Sequence, residues 1–151
     1  MKYKKNNCRP LSAMLLCMLM CALTHQTFAH KPPAVFAIFE KYGSQQGVTM
    51  LEASEELMKN YQIIHFKSII FKDGTAALPE IREAIIKDKT NAGRIKESLR
   101  DGLIYSGYYR FKTEDTTINR YLIFKVGEKN KTTLIYIEGK LTPEQLIELL
   151  K

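Results

Sequence analysis

The chain has 151 residues, with 23 Lys and Arg against 16 Asp and Glu, three cysteines and no tryptophan. A chain of this length makes one domain around a single core. Four of the cations lie in the first ten residues and no acidic residue precedes Glu40, so residues 30–151 carry 19 cationic against 16 anionic side chains, a net +3. That mildly basic balance is not the footprint of a nucleic-acid binder.

The chain opens with Lys2, Lys4, Lys5 and Arg9, followed by an apolar run of thirteen residues from Leu11 to Leu23. Thr27 and Ala29 then set small residues at the −3 and −1 positions of a cut before His30. A basic start, a short apolar core and a small-x-small site are the parts of a secretory signal peptide. A spanning helix needs about 20 apolar residues, so residues 1–29 read as a cleavable leader rather than an anchor. No later stretch is long and apolar enough to span. Cys8, Cys17 and Cys21 all fall inside the leader. The remaining domain, 30–151, therefore has no disulfide, thiolate ligand or cysteine nucleophile. Bulky Met18, Leu19 and Met20 precede Cys21, where lipid attachment would want small residues.

Pro32 and Pro33 delay the first helix to about Ala34, and Val35, Phe36, Phe39 and Tyr42 give it an apolar face ending at Gly43. Val48 to Glu52 is a short edge strand, and Ser54 is placed to cap a turn of helix carrying Glu55 and Glu56. Tyr61 to Lys72 has apolar residues on both faces, the mark of a central strand. Asp73-Gly74 is a turn, and Pro79 opens a helix with Ile81, Ile85 and Ile86 as its stripe. A further helix is predicted from about Ala92 to Arg100, ending at the cap Asp101-Gly102. Three strands follow, Leu103 to Lys112, Thr117 to Val126 and Thr132 to Glu138, the last two joined by a tight connection at Gly127 to Asn130. Thr142, Pro143 and Gln145 form a capping box that opens a final helix. The expected fold is α+β: a mostly antiparallel sheet of about five strands with helices packed on one face.

Residues able to carry chemistry are few. His25 leaves with the leader, His30 is terminal, and His65 stands alone in a strand. A triad of His65, Ser68 and Asp73 fails because the offset of three puts serine on the opposite strand face. No metal site, cofactor loop or calcium spacing is found. The most distinctive text is Ser106-Gly107-Tyr108-Tyr109-Arg110-Phe111 with Asn119-Arg120-Tyr121 on the next strand. Superficially it is like the stacking strand of an RNA-recognition domain, but export, small charge and element order contradict that. Alternation places Tyr105, Tyr109 and Phe111 on one face and Tyr108 on the other, as ordinary sheet packing would. Asn130-Lys131-Thr132 matches an N-glycosylation sequon, and Asp115-Thr116-Thr117 resembles a short O-glycosylation signal of exported Bacteroidetes proteins.

A resemblance adds to this reading. Phe66-Lys67-Ser68-Ile69, Ser106 to Arg110, Asn119 to Phe124 and Thr132 to Gly139 are similar to a family of small exported Bacteroidetes proteins known only as a domain of unknown function. Phe39 to Tyr42 with Gly47-Val48-Thr49 resembles a related exported group. The resemblance implies an exported α+β domain from a gut or oral anaerobe and supplies no activity or site residue. The function expected is a non-enzymatic binding or interaction module of the periplasm or cell envelope, taking a protein or an anionic envelope ligand. Its candidate site is Tyr105, Tyr109, Arg110, Arg120, Tyr121 and Tyr136, offering stacking surface and cations. The competing expectation is a small carboxylate-based hydrolase of the envelope, which would need carboxylates converging in a cleft.

Overall fold

The computed structural model describes residues 32–111 and 113–149. The expected leader, residues 1–29 with the three cysteines and His25, lies outside these residues, as does His30. Alternation of apolar and polar side chains dominates from residue 48 onward, and it builds six strands: β1 Val48–Ala53, β2 Ile63–Phe71, β3 Ala92–Arg100, β4 Leu103–Phe111, β5 Asn119–Val126 and β6 Thr132–Gly139. They form one sheet in the order β1-β2-β6-β5-β4-β3, every neighbouring pair antiparallel. The helices are α1 Phe36–Tyr42, α2 Glu55–Met58, α3 Leu78–Lys89 and α4 Pro143–Leu149. The architecture is the α+β class with an antiparallel sheet, and β4, β5 and β6 run as the expected meander.

Each face of the sheet carries its own apolar cluster. On one, Ile69, Phe71, Leu122, Phe124, Leu134 and Tyr136 pack against Ile38 and Phe39 of α1 and Ile81 and Ile85 of α3. Pro79 sits in the first turn of α3 as expected, whereas Ile86 is half-exposed and lies off the buried stripe. On the other face Ile63, Tyr121 and Ile137 gather Leu141 and Leu146 of the α4 region. The helices are thus not confined to one face: α1 and α3 cover one, and short α4 covers an end of the other. The capping box of α4 forms as predicted. Gln145 Oε1 accepts from the Thr142 amide at 2.7 Å, and Thr142 Oγ1 accepts from the Gln145 amide at 3.3 Å. Ser54 has the extended backbone of an N-cap, but its side chain makes no capping bond.

The clearest departure from the sequence expectation is Ala92–Arg100, which is strand β3 and not a helix. The reason lies in the two residues that follow. Asp101 and Gly102 have φ of 51° and 74°, the positive pair that a two-residue hairpin turn needs and that Asp-Gly supplies most readily. The turn folds β3 back onto β4, with Glu97 opposite Gly107 and Lys96 opposite Tyr108. Helix-favouring Ala, Lys, Glu and Arg are overridden by this pairing. The sheet gains a strand over the five expected.

One buried charge joins the two long-range pieces of the helical layer. Asp88, in the last turn of α3, accepts from the amides of Ala34 and Val35 at 2.6 and 2.9 Å. It caps the first turn leading into α1 from a distant point in sequence. Burial raises its pKa above the usual carboxylate value, with the two amide bonds pulling the other way. Removing it in Asp88→Ala leaves both amides without their acceptor, and the expected loss is about 2–4 kcal/mol, read by urea denaturation. A carboxyl with a raised folded pKa holds its proton more tightly folded than unfolded. Its stabilisation is therefore largest below the unfolded pKa and declines as pH rises through the folded one. The gap between the wild type and Asp88→Ala should narrow as pH climbs from strongly acid toward neutral; a gap that widens would contradict the assignment.

Candidate functional site

The six candidate residues from the sequence divide between the two faces of the sheet. Tyr109 and Tyr136 lie in the cluster under the helices, with Tyr105 packed against it, and Tyr121 belongs to the opposite cluster. Arg120 stands opposite Phe111 and Glu138 in the register, on the helix-covered side. Arg110 stands opposite Tyr121, on the other side. The structure brings together Arg120 with Tyr136, and Arg110 with Tyr121, and does not assemble all six.

Most of these side chains are engaged in internal bonds. Tyr109 is fully buried and donates to Glu97 at 2.8 Å, while Lys89 approaches the same carboxylate at 3.1 Å. Burial first, and then the neighbouring carboxylate, push the Tyr109 hydroxyl above its usual pKa. Tyr136 donates to Glu138 at 2.8 Å, Arg120 pairs with the same carboxylate at 3.2 Å, and Phe36 meets the Tyr136 ring edge-on at 4.8 Å. Tyr136 too is raised, chiefly by burial. The Arg100 guanidinium lies 3.8 Å from the centre of the Tyr105 ring.

On the opposite face Tyr121 donates to the Leu141 carbonyl at 2.9 Å, with its hydroxyl pushed up to about 12 by burial. Asn119 donates to that same carbonyl at 3.1 Å and accepts from Arg110 at 2.7 Å. Leu141 stands just before α4, so this group moors the final helix.

The Ser-Gly-Tyr-Tyr-Arg text therefore has a packing explanation. The Tyr109 ring lies back along its own strand over Gly107, and a Cβ at 107 would overlap the ring. The glycine lets the hydroxyl reach Glu97 on β3, directly across from Gly107. Gly107→Ala is expected to displace the ring and cost about 1–3 kcal/mol, measured by chemical denaturation. A variant as stable as wild type would show that the ring has another place to go.

What remains open is the central and far part of the second face. Three cross-strand rows run over it. The first, Ala53, Phe66, Ile137, Tyr121 and Arg110, lies beside α4. The second is Leu51, Ser68, Ile135, Ile123, Tyr108 and Lys96, and the third Thr49, Ile70, Thr133, Lys125, Ser106 and Ser98. Ile123, Ile135 and Tyr108 are half-buried, and Leu51, Lys96 and Lys125 are exposed. Strand carboxylates fall on the other side: Glu52 pairs with Lys67, Glu97 with Lys89, and Glu138 with Arg120. The described strand positions of the open face hold Lys96, Arg110 and Lys125 and no Asp or Glu. Sequence reasoning passed over Ile123, Ile135, Lys96 and Lys125. Alternation with buried Leu122 and Phe124 was the signal for two of them, and the misread β3 hid Lys96.

Near this face a shallow cleft of about 370 Å³ is lined by Asn60, Tyr61, Gln62, Leu141, Gln145 and Glu148, among others. It is open to solvent, with a single carboxylate. Among the described residues no group of three or more His, Cys, Asp or Glu is placed to hold a metal ion, and no helix is long and apolar enough to cross a membrane. His65 is exposed, opposite Glu138 in the register. Of the modification signals, Asp115 accepts from the amide and hydroxyl of Thr117 at 2.8 and 2.7 Å in an exposed turn. Asn130 is exposed but its sequon threonine, Thr132, is fully buried.

The family model described as a family of unknown function (DUF6108) matches residues 21–150. The chain belongs to DUF6108. Among curated proteins and among solved structures, none matches the chain. The kinship expected from the sequence, with a family whose function is not described, thus holds, and membership in DUF6108 adds no activity to the geometry.

Proposed function

We propose that this domain is an exported, non-enzymatic binding module of the periplasm or cell envelope that docks an acidic partner protein on the open face of its sheet. One observation carries the reading: Ile123, Ile135 and Tyr108 form an apolar centre edged by Lys96, Arg110 and Lys125, while the strand carboxylates sit on the opposite face. An apolar area whose described strand-borne charges are of one sign suits a partner of the opposite sign. The carboxylates nearest it, Glu144 and Glu148, belong to α4 at one end of the face. The leader-like residues 1–29 support export, and the resemblance to exported Bacteroidetes proteins supports the envelope. The carboxylates support binding over hydrolysis, since each central one is occupied. Asp88 holds two backbone amides, Glu80 accepts from Lys41 and Tyr42, Glu97 from Tyr109 and Lys89, and Glu138 from Tyr136 and Arg120.

The test separates the face from overall charge. Lys96→Glu with Lys125→Glu reverses two cations on the open face. Lys41→Glu with Lys87→Glu makes the same change in net charge on α1 and α3. With immobilised poly-L-glutamate as the acidic probe, the first pair is expected to weaken binding by about tenfold or more at low salt. The second pair should leave most of it intact. Equal losses from both would reduce the effect to net charge and remove the reading, as would a wild-type protein that does not bind the probe.

A further inference from the structure

The two edges of the sheet are unequally protected. At one edge, β3 carries Lys96 and Arg100, and its pairing with β4 is interrupted between Ala92 and Arg94 and again between Ser98 and Leu99. Charges and bulges of this kind blunt an edge against further pairing. At the other edge β1, Val48-Thr49-Met50-Leu51-Glu52-Ala53, has no cation, no proline and an uninterrupted register against β2. Its one charge, Glu52, is met by Lys67 of β2 at 3.1 Å. Leu51 is 55% exposed.

The backbone of β1 is also set to pair again. The Gly47 carbonyl accepts from the Lys72 amide at 2.9 Å, so Gly47 faces β2. Alternation in an antiparallel ladder then turns the amides and carbonyls of Val48, Met50 and Glu52 away from β2. The Val48 amide is already used, donating to Gln45 at 3.2 Å. Met50 and Glu52 present their groups at the edge.

We infer that β1 pairs antiparallel with β1 of a second copy of this chain across a twofold axis at Leu51. In that register Met50 of each copy exchanges amide and carbonyl bonds with Glu52 of the other. The two Leu51 residues meet as a close non-hydrogen-bonded pair on the open face, and Thr49 faces Ala53. No like charges oppose one another. The same operation at the other edge would set Lys96 against Lys96, Glu97 against Glu97, or Lys96 against Arg100, depending on whether it centres on Lys96, Glu97 or Ser98. Self-pairing is therefore selective for β1. The axis stands perpendicular to the sheet, so the open faces of both copies become one continuous surface. This inference does not rest on the acidic-partner reading.

Analytical ultracentrifugation of the purified full chain over the micromolar range should show a monomer–dimer equilibrium. Leu51→Lys places like charges at the axis, and Glu52→Pro deletes an outward amide and the ion pair with Lys67 while leaving the β1–β2 backbone bonds in place. Each is expected to weaken the dimer by about tenfold or more while the circular dichroism spectrum stays that of the wild type. Amide exchange supplies a check that needs no variant: the Met50 and Glu52 amides should gain protection as the wild-type protein is concentrated. A wild type that stays monomeric, a dimer that survives both substitutions, or Met50 and Glu52 exchange that is independent of concentration would each overturn the inference.

Discussion

The structure depends on the antiparallel ladder between β2 and β6. It joins the first third of the described chain to the last, from Phe71 opposite Thr132 to Ile63 opposite Gly139. Closing so long a loop costs entropy that local contacts do not repay, and the repayment comes from both faces at once. Ile69 and Leu134 enter the core under α1 and α3, while Ile63 and Ile137 enter the smaller one beside α4. Backbone bonds fasten the two ends of the ladder, Gly74 to the Asn130 carbonyl at 2.9 Å and Lys140 to the Gln62 carbonyl at 2.8 Å. Tyr61 to Lys72 carries apolar residues on both faces, and this is why it could be placed in the interior of the sheet from sequence. Ile69 and Phe71 are buried under the helices, while Phe66 and Ile70 on the other face are half-buried.

Legibility followed the range of the interaction that decides each element. The meander, the proline-led α3 and the capping box of α4 are written in residues within a few positions of one another, and all were readable. Alternation in β4 correctly put Tyr105, Tyr109 and Phe111 on one side and Tyr108 on the other. Ala92–Arg100 was not readable because its composition favours helix and Asp101-Gly102 serves equally as a helix stop and as a hairpin turn. Only pairing with β4 decides between them. The aromatic site failed for a related reason. Neighbouring tyrosines in text become neighbours in space only when the strands bring the same face together. Tyr121 and Tyr136, on adjacent strands, project to opposite sides of the sheet.

Charge is sorted by face more sharply than by position along the chain. The helix-covered side buries tyrosine hydroxyls against Glu97 and Glu138, each carboxylate shared with a cation. Such partly buried, hydrogen-bonded groups are expensive to leave unmatched, so this side is organised for its own integrity. The other side leaves Lys96 and Lys125 exposed beside isoleucine and tyrosine, while Arg110 is held by Asn119. A net charge of only +3 for residues 30–151 conceals that separation.

The mooring of α4 has a dynamic consequence. The helix is seven residues long, Pro143–Leu149, far below the length at which a helix persists unaided in water. It holds through Leu146 and through the bonds that converge on the Leu141 carbonyl. Breaking those few attachments would lift one terminal segment while the six-stranded sheet stays paired, a sub-global opening of the kind that hydrogen exchange resolves. The row of Phe66, Ile137 and Tyr121 would then join the exposed surface. The extent of that surface is thus an equilibrium quantity, governed by how often a single short helix lets go.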